Sequence, residues 1–168
     1  MTRLGATLAA AFAEVLQHST RSRMYGMLTH DLDDAIDAAT YPVISALGRF
    51  GSRSAAELAI DVGLDRSVVS RHADRLEAGG LLRREQDPRD GRTMLLMLTD
   101  RGTRQVTVMR ERLDDAFEDY LATLPQDEAR AFVDGFVRFV RDGPFGAPHR
   151  LPAEPPVDDS RVRRRRRT

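Results

Sequence analysis

The sequence predicts a mainly α-helical chain in which one small β-hairpin interrupts a run of helices. Three observations carry that expectation. Apolar residues recur at helical spacing over most of the chain, as in Val106, Met109, Leu113, Phe117, Tyr120, Leu121 and Leu124. Helix starts and stops punctuate it; the clearest is Ser54 with Glu57 three residues on, closed by Gly63. One stretch breaks the period: Leu81 to Gln86, a turn DPRDG, and Arg92 to Leu98 read as two strands around a tight connection.

Taken in order, residues 3–28 are expected to form one helix, with Leu4, Leu8, Phe12, Val15 and Leu16 on its apolar side and Gly26 weakening its end. Residues 29–40 form a polar patch. The next helix runs through PVISALGRF, with Pro42 in its first turn, where a missing N–H costs nothing, and Gly48 and Gly51 marking its end. SAAELAIDVG follows as a short amphipathic helix opened by the Ser54–Glu57 capping box. Leu64 and Asp65 make a tight turn, with Asp65 as the cap of RSVVSRHADRLEAGG. On that helix Val68, Val69, His72, Ala73 and Leu76 lie towards one side. Arg66, Ser67, Ser70, Arg71, Asp74 and Arg75 lie largely towards the other, and Gly79-Gly80 end it. After the hairpin, Thr99 caps a long helix over 100–123. Pro125 opens a last helix, with Asp127 and Glu128 where acidic residues suit the dipole. Its apolar residues are Phe132, Val133, Phe136, Val137, Phe139 and Val140. From Gly143 onward the chain is Pro-rich and is expected not to pack. No internal repeat is visible.

At 168 residues, 31% charged and 41% hydrophobic, the chain suits a globular protein with a substantial core. It contains no Cys, which excludes a disulfide framework, a Cys-ligated zinc site and a thiol redox sensor. Every basic residue is Arg, whose forked donors suit phosphate and guanine. The net charge of zero conceals an asymmetry. Arg161 and Arg163 to Arg167 lie within the last eight residues; without those six, 20 Arg face 26 acidic residues and residues 1–160 carry −6. Such a basic tail either touches a polyanion or folds back on the acidic body. The start, MTRLGATLAAAFAEVL, has a loose leader-like outline, but its apolar residues also fit one helix face. No run approaches the roughly 18 apolar residues of a membrane span. A cytoplasmic, nucleoid-associated protein with no membrane partner is expected.

The middle of the chain is helix, tight turn, helix, then a hairpin with a basic tip: a winged helix-turn-helix. The second helix of the pair can lie in the major groove and offer Arg66, Ser67, Ser70 and Arg71 from its N-terminal half, with Arg75 further along. Its positive N-terminus favours a nearby phosphate. Arg89 or Arg92 at the hairpin tip then reaches the neighbouring backbone or minor groove, with Asp90 placed to pair with Arg92. Read alone, the hairpin is a polar turn and the arginines are solvated; beside the helix pair, DNA contact is the better account. The module, residues 49–92, is only +1, with nine Arg against eight Asp or Glu, so placement must matter more than overall field. His72 reads as structural.

The stretch ELAIDVGLDRSVVSRHADRLEAGGLLRREQDPRDGRTMLLMLTDRG resembles the MarR family of bacterial transcription regulators. The resemblance rests on Glu57-Leu58-Ala59; Leu76-Glu77 with Gly80; Leu81-Leu82; Arg84; Asp87-Pro88, Asp90 and Arg92; and Leu98-Thr99 with Gly102. It is close over residues 54–102 and extends more loosely, in helix order, over 3–141. It implies a winged helix-turn-helix with N- and C-terminal dimerisation helices, a homodimer on a near-palindromic duplex DNA operator, Arg92 in the minor groove and Asp90 orienting it. Phe132, Phe136 and Phe139 fit such a dimerisation helix. The implied division is 1–40 N-terminal helix and linker, 41–98 DNA-binding domain, 99–142 C-terminal dimerisation helices, and 143–168 a disordered tail.

The resemblance also implies a small aromatic or phenolic effector in a cleft beside the winged module. His18, Arg21, Tyr25 and Tyr41 are the candidate lining, an Arg for a carboxylate and Tyr for a ring; each also fits an ordinary interface position. The expected function is a repressor released by such a ligand. The competing reading is a winged-helix module that binds a protein and no specific DNA. No cofactor is expected. His30, Asp31 and Asp34 in HDLDD lack a further ligand at metal spacing and read as a loop or cap. No nucleophile-base motif or phosphate loop is visible, so no enzyme activity is expected.

Overall fold

The first expected helix is two. α1 (Leu4–Leu16) and α2 (His18–Thr29) meet at Gln17, whose extended backbone, with φ −60° and ψ 139°, ends one and begins the other. The polar run Gln17-His18-Ser19-Thr20 interrupts the apolar stripe, and Ser and Thr compete for backbone groups better at helix ends than inside. The structure is a computed structural model describing residues 3–144. Its residues form two units divided between Leu124 and Pro125. The Arg-rich segment 161–167 lies outside the described residues.

In the first unit, α3 (Tyr41–Phe50) follows the polar patch and β1 (Arg53–Ser54) follows α3. Gly48, expected to end α3, lies inside it. A Cβ there would stand 2.5 Å from Val106 Cγ1, so glycine is needed for close helix approach rather than for termination. Then come α4 (Ala55–Val62), α5 (Arg66–Ala78), β2 (Leu82–Gln86), β3 (Met94–Leu98) and α6 (Asp100–Leu121). The capping box on α4 is complete: Glu57 N–H donates to Ser54 Oγ at 3.2 Å, and Ser54 N–H donates to Glu57 Oε2 at 2.8 Å. Gly63, at φ +66°, turns the chain out of α4 through the left-handed region. Asp65 occupies the N-cap position of α5, but its side chain makes no cap bond; its carbonyl accepts from Val68 and Val69 N–H at 3.0 Å each.

The sheet has strand order β1-β3-β2, antiparallel throughout. Leu82 faces Leu98, Arg84 faces Leu96 and Gln86 faces Met94. β1 was not expected, because two residues are too short to show any alternation. It pairs Arg53 with Leu96 and Ser54 with Leu95, tying the entry to α4 onto the hairpin.

These elements close over one core. Val43, Ile44 and Leu47 of α3, Leu58 of α4, and Val69, Ala73 and Leu76 of α5 are buried with Leu81, Leu82, Leu96, Val106 and Met109. Each such Leu or Val contributes roughly 1.5–3 kcal/mol. Gly102 sets how α6 leaves the hairpin: a Cβ would stand 1.9 Å from the Leu81 carbonyl oxygen. Thr99 completes the joint, accepting from Gly102 N–H at 3.1 Å and donating through its hydroxyl to Gly80 O at 2.8 Å. Arg112 of α6 donates to the carbonyls of Leu28 and His30, which close the end of α2.

The second unit contains α7 (Gln126–Asp142). Its apolar side is exposed within the chain: Phe136 at 56%, with Val133, Val137 and Val140 beside it. The rings of Phe132 and Phe136 stack with centroids 6.1 Å apart. Among the described residues no helix is long and apolar enough to cross a membrane.

Candidate nucleic-acid interface and adjoining cavity

α5 carries two chemistries on separate faces. Val69, Ala73 and Leu76 seat it in the core. Arg66, Ser67 and Arg71 are exposed and Ser70 is half-buried, and their spacing of one and four residues gathers them on one side. Asp74 falls on that side as well. It is compensated by Arg84 of β2, whose fork spans two carboxylates one helical turn apart: Nη2 to Asp74 Oδ1 and Nη1 to Glu77 Oε2, both 2.6 Å. This pairing joins the wing strand to α5. Sequence reading used Arg84 only as part of a motif and missed this link; acidic residues three apart on the helix before a strand Arg are the available signal.

The wing tip is shaped by its acidic residues. Asp87 Oδ1 accepts from Arg89 N–H at 2.8 Å, and Asp90 Oδ1 accepts from Arg92 N–H at 3.1 Å while its Oδ2 accepts from the Thr93 hydroxyl at 3.0 Å. Asp90 therefore holds the backbone of Arg92, not its guanidinium. Strand pairing stops at Met94, so Arg92 and Thr93 belong to the turn. The side chains of Arg66, Arg71, Arg89 and Arg92 form no ion pair with a described residue, whereas Arg75, Arg83, Arg84 and Arg101 each do.

Arg75 is directed away from the other α5 arginines' task. It donates to Asp37 Oδ2 and to the Asp34 carbonyl, in the loop between α2 and α3. Arg101 of α6 pairs with Asp33 of the same loop and donates to Gly79 O at 3.2 Å. Thr40 is fully buried; its hydroxyl accepts from Asp37 N–H and donates to Ala35 O, each at 3.0 Å. Burial works to raise the Asp37 pKa, but hydrogen bonds from the backbone N–H of Thr40, from Arg75 and from Ala39 outweigh it and hold the carboxyl below its usual value. The polar patch of the sequence is thus a clamp between α5 and α6. His30 and Asp31 of the HDLDD stretch form an exposed pair at 2.8 Å. No metal-binding cluster occurs among the described residues.

A cavity of about 420 Å³ lies against this clamp. His18, Arg21 and Tyr25 of α2 line it together with Ala38 and Ala39 of the loop and His72 of α5. Three of the four expected ligand residues therefore share one wall. Tyr41 does not line it; its ring stacks on Tyr25 with centroids 4.5 Å apart and faces a neighbouring pocket. His72, expected to be structural, is half-buried and opens onto the cavity. Burial pushes its imidazole below the ordinary value; Asp37 opposes that shift, and Arg71 and Arg75 add to it.

Residues 30–93 match a model of the MarR family. The uncharacterized HTH-type transcriptional regulator YxaD of Bacillus subtilis (strain 168) is 31% identical over 97 residues, 58% of this chain and 68% of that protein. A second regulator of that organism, YdgJ, is 29% identical over 85 residues, 51% of this chain, and the match spans about half of its length, 52%. Among solved structures, wild-type MarR (apo form) from E. coli superposes with a TM-score of 0.63 at 22% identity, covering 83% of this chain and 98% of that one. The PcaV regulator of Streptomyces coelicolor, solved with its natural ligand, gives a TM-score of 0.52 at 29% identity, covering 84% and 98%.

Proposed function

The chain belongs to the MarR family of transcriptional regulators, and on that premise we propose a homodimer that binds a near-palindromic duplex operator and represses by covering a promoter. It is a transcription regulator and not an enzyme. One observation carries the DNA reading: Arg66 and Arg71 on the outer side of α5 and Arg89 and Arg92 at the wing tip make no ion pair among the described residues, whereas Arg75 of the same helix and Arg83 and Arg84 of the wing strand are each paired. Arg66, Ser67, Ser70 and Arg71 enter the major groove, where a bidentate Arg contact contributes about 1–3 kcal/mol of discrimination. Arg89 and Arg92 reach phosphate or the minor groove, with Asp90 shaping the turn that presents them. Arg75 acts indirectly, by seating α5 on the loop.

The exposed apolar residues of α1 (Leu4, Leu8, Val15 and Leu16) and of α7 (Val133, Phe136, Val137 and Val140) support assigning dimerisation to residues 1–40 and 99–142. The cavity lined by His18, Arg21 and Tyr25 is the effector site, suited to a small aromatic carboxylate: Arg21 for the anion, Tyr25, braced by Tyr41, for the ring. PcaV, solved with its natural ligand, is the related precedent. An effector acts by favouring a conformer with lower DNA affinity. The test is binding of the full chain to the duplex upstream of its own gene and to a scrambled duplex across a salt series. Preference for the upstream duplex, lost in Arg71→Ala, is the expected result. No binding to either duplex at low salt rejects the DNA reading in favour of a protein-binding module.

A further inference from the structure

His72 joins the two parts of the molecule that the proposed function keeps apart. It lies on α5 directly after Arg71, which faces outward, and directly before Ala73, which is in the core. Its ring opens onto the same cavity as Arg21 and His18. The charged and titratable groups around it come from every neighbouring element: Asp37 from the loop, Arg71 and Arg75 from its own helix, and Arg21 and His18 from α2 across the shared cavity. Asp37 is already engaged by Arg75 and by the N–H groups of Ala39 and Thr40, so its charge is largely answered before it acts on His72. These surroundings hold the imidazole below its ordinary value and favour its neutral form. A carboxylate held by Arg21 brings negative charge into the same space and favours the imidazolium.

We propose that an anionic effector binds this cavity together with a proton, taken from solvent by His72, so that occupancy places a positive charge on the recognition helix itself. The inference rests on the effector reading of the cavity. No bond of the ligand is made or broken; one N–H bond forms on the ring and the buffer gives up the proton. The sign follows from linkage. If the pKa of His72 is raised by the ligand, affinity rises as pH falls, by up to about tenfold per pH unit, between its value in the complex and its lower value in the free protein. Below the lower value the dependence flattens.

The experiment is calorimetric titration of the full-length protein with benzoate, a carboxylate on one ring, between about pH 6 and 8, in buffers of different ionisation enthalpy. The expected result is net proton uptake accompanying binding, an affinity that weakens with rising pH, and loss of both in His72→Gln but not in His30→Gln, an exposed residue outside the cavity lining. Proton NMR of the four histidine rings in the unaltered protein reads the same event without substitution: one ring, His72, moves to a higher pKa on saturation. Benzoate binding without proton uptake overturns the proposal and leaves the effector site standing. Uptake that survives His72→Gln and disappears in His18→Gln overturns the assignment to His72. Absence of benzoate binding across the whole range overturns both the proposal and the aromatic-carboxylate reading of the cavity.

Discussion

Arg84 reaches from β2 to Asp74 and Glu77, and without it two carboxylates stand uncompensated beside the outer side of α5. Arg84→Ala is therefore expected to weaken DNA binding on every duplex, specific or scrambled, through phosphate repulsion and a looser wing. Fluorescence anisotropy on both duplexes measures this. Arg71→Ala differs in kind: it is expected to cost about 1–3 kcal/mol on the operator and much less on a scrambled duplex. Asp37 gives a pH prediction. Its pKa is lowered in the folded protein, so its contribution to stability is complete above the unfolded value of about 3.9 and is lost as pH falls through the folded value. Asp37→Asn should lower the thermal midpoint at pH 7 while narrowing the gap between melts at pH 7 and in acid. These residues were unequally legible. Arg71 and Arg92 stood out because position relative to a helix start or a turn is written in the local sequence. The partner of Arg75 is 38 residues away in the chain and leaves no local trace.

At the level of elements, the capped helices and the hairpin were readable because each is decided within a few residues. Ser54 and Glu57 close their box, and Thr99 caps α6, as their spacing requires. Ser54→Ala is expected to cost about 1 kcal/mol of stability, measured by urea unfolding. The break at Gln17, the two-residue β1 and the interior position of Gly48 were not readable. Each depends on what a distant segment does: Gly48 stays in α3 because Val106 packs there, and β1 exists because Leu95 and Leu96 offer it an edge. Gly102 joins both kinds. Its place in the motif is local, yet its reason is the Leu81 carbonyl. Gly102→Ala should destabilise the fold by about 1–3 kcal/mol, as forced overpacking does, and lower the melting temperature accordingly. Of the cavity, His18, Arg21 and Tyr25 of α2 were named only through the family resemblance together with residue type, and Tyr41, named with them, faces the neighbouring pocket instead. The contributions of Ala38, Ala39 and His72 came only with the fold.

On the scale of the whole molecule, the exposed apolar side of α7 sets a prediction about assembly. Val137→Glu is expected to shift the protein from dimer towards monomer in sedimentation velocity and to weaken operator binding, since a single wing reads only half a near-palindrome. Charge has its own reach: with −6 over residues 1–160, long-range attraction to DNA must come from placed arginines or from the tail, and deleting residues 161–168 should flatten the salt dependence on scrambled duplex. The loop between α2 and α3 carries a different consequence. Three guanidinium groups from two helices hold it, Arg75, Arg101 and Arg112, and the amides of Ala35, Ala39 and Thr40 donate to the carboxylates of Asp33 and Asp37 within it. Connections of this length ordinarily trade their amide protons for deuterium almost as fast as a free peptide. Here each of those bonds ends on a carboxylate that an arginine of α5 or α6 holds, so the amides of Ala35 and Thr40 are expected to exchange with the release of those helices and more slowly than a free loop, which hydrogen–deuterium exchange would read.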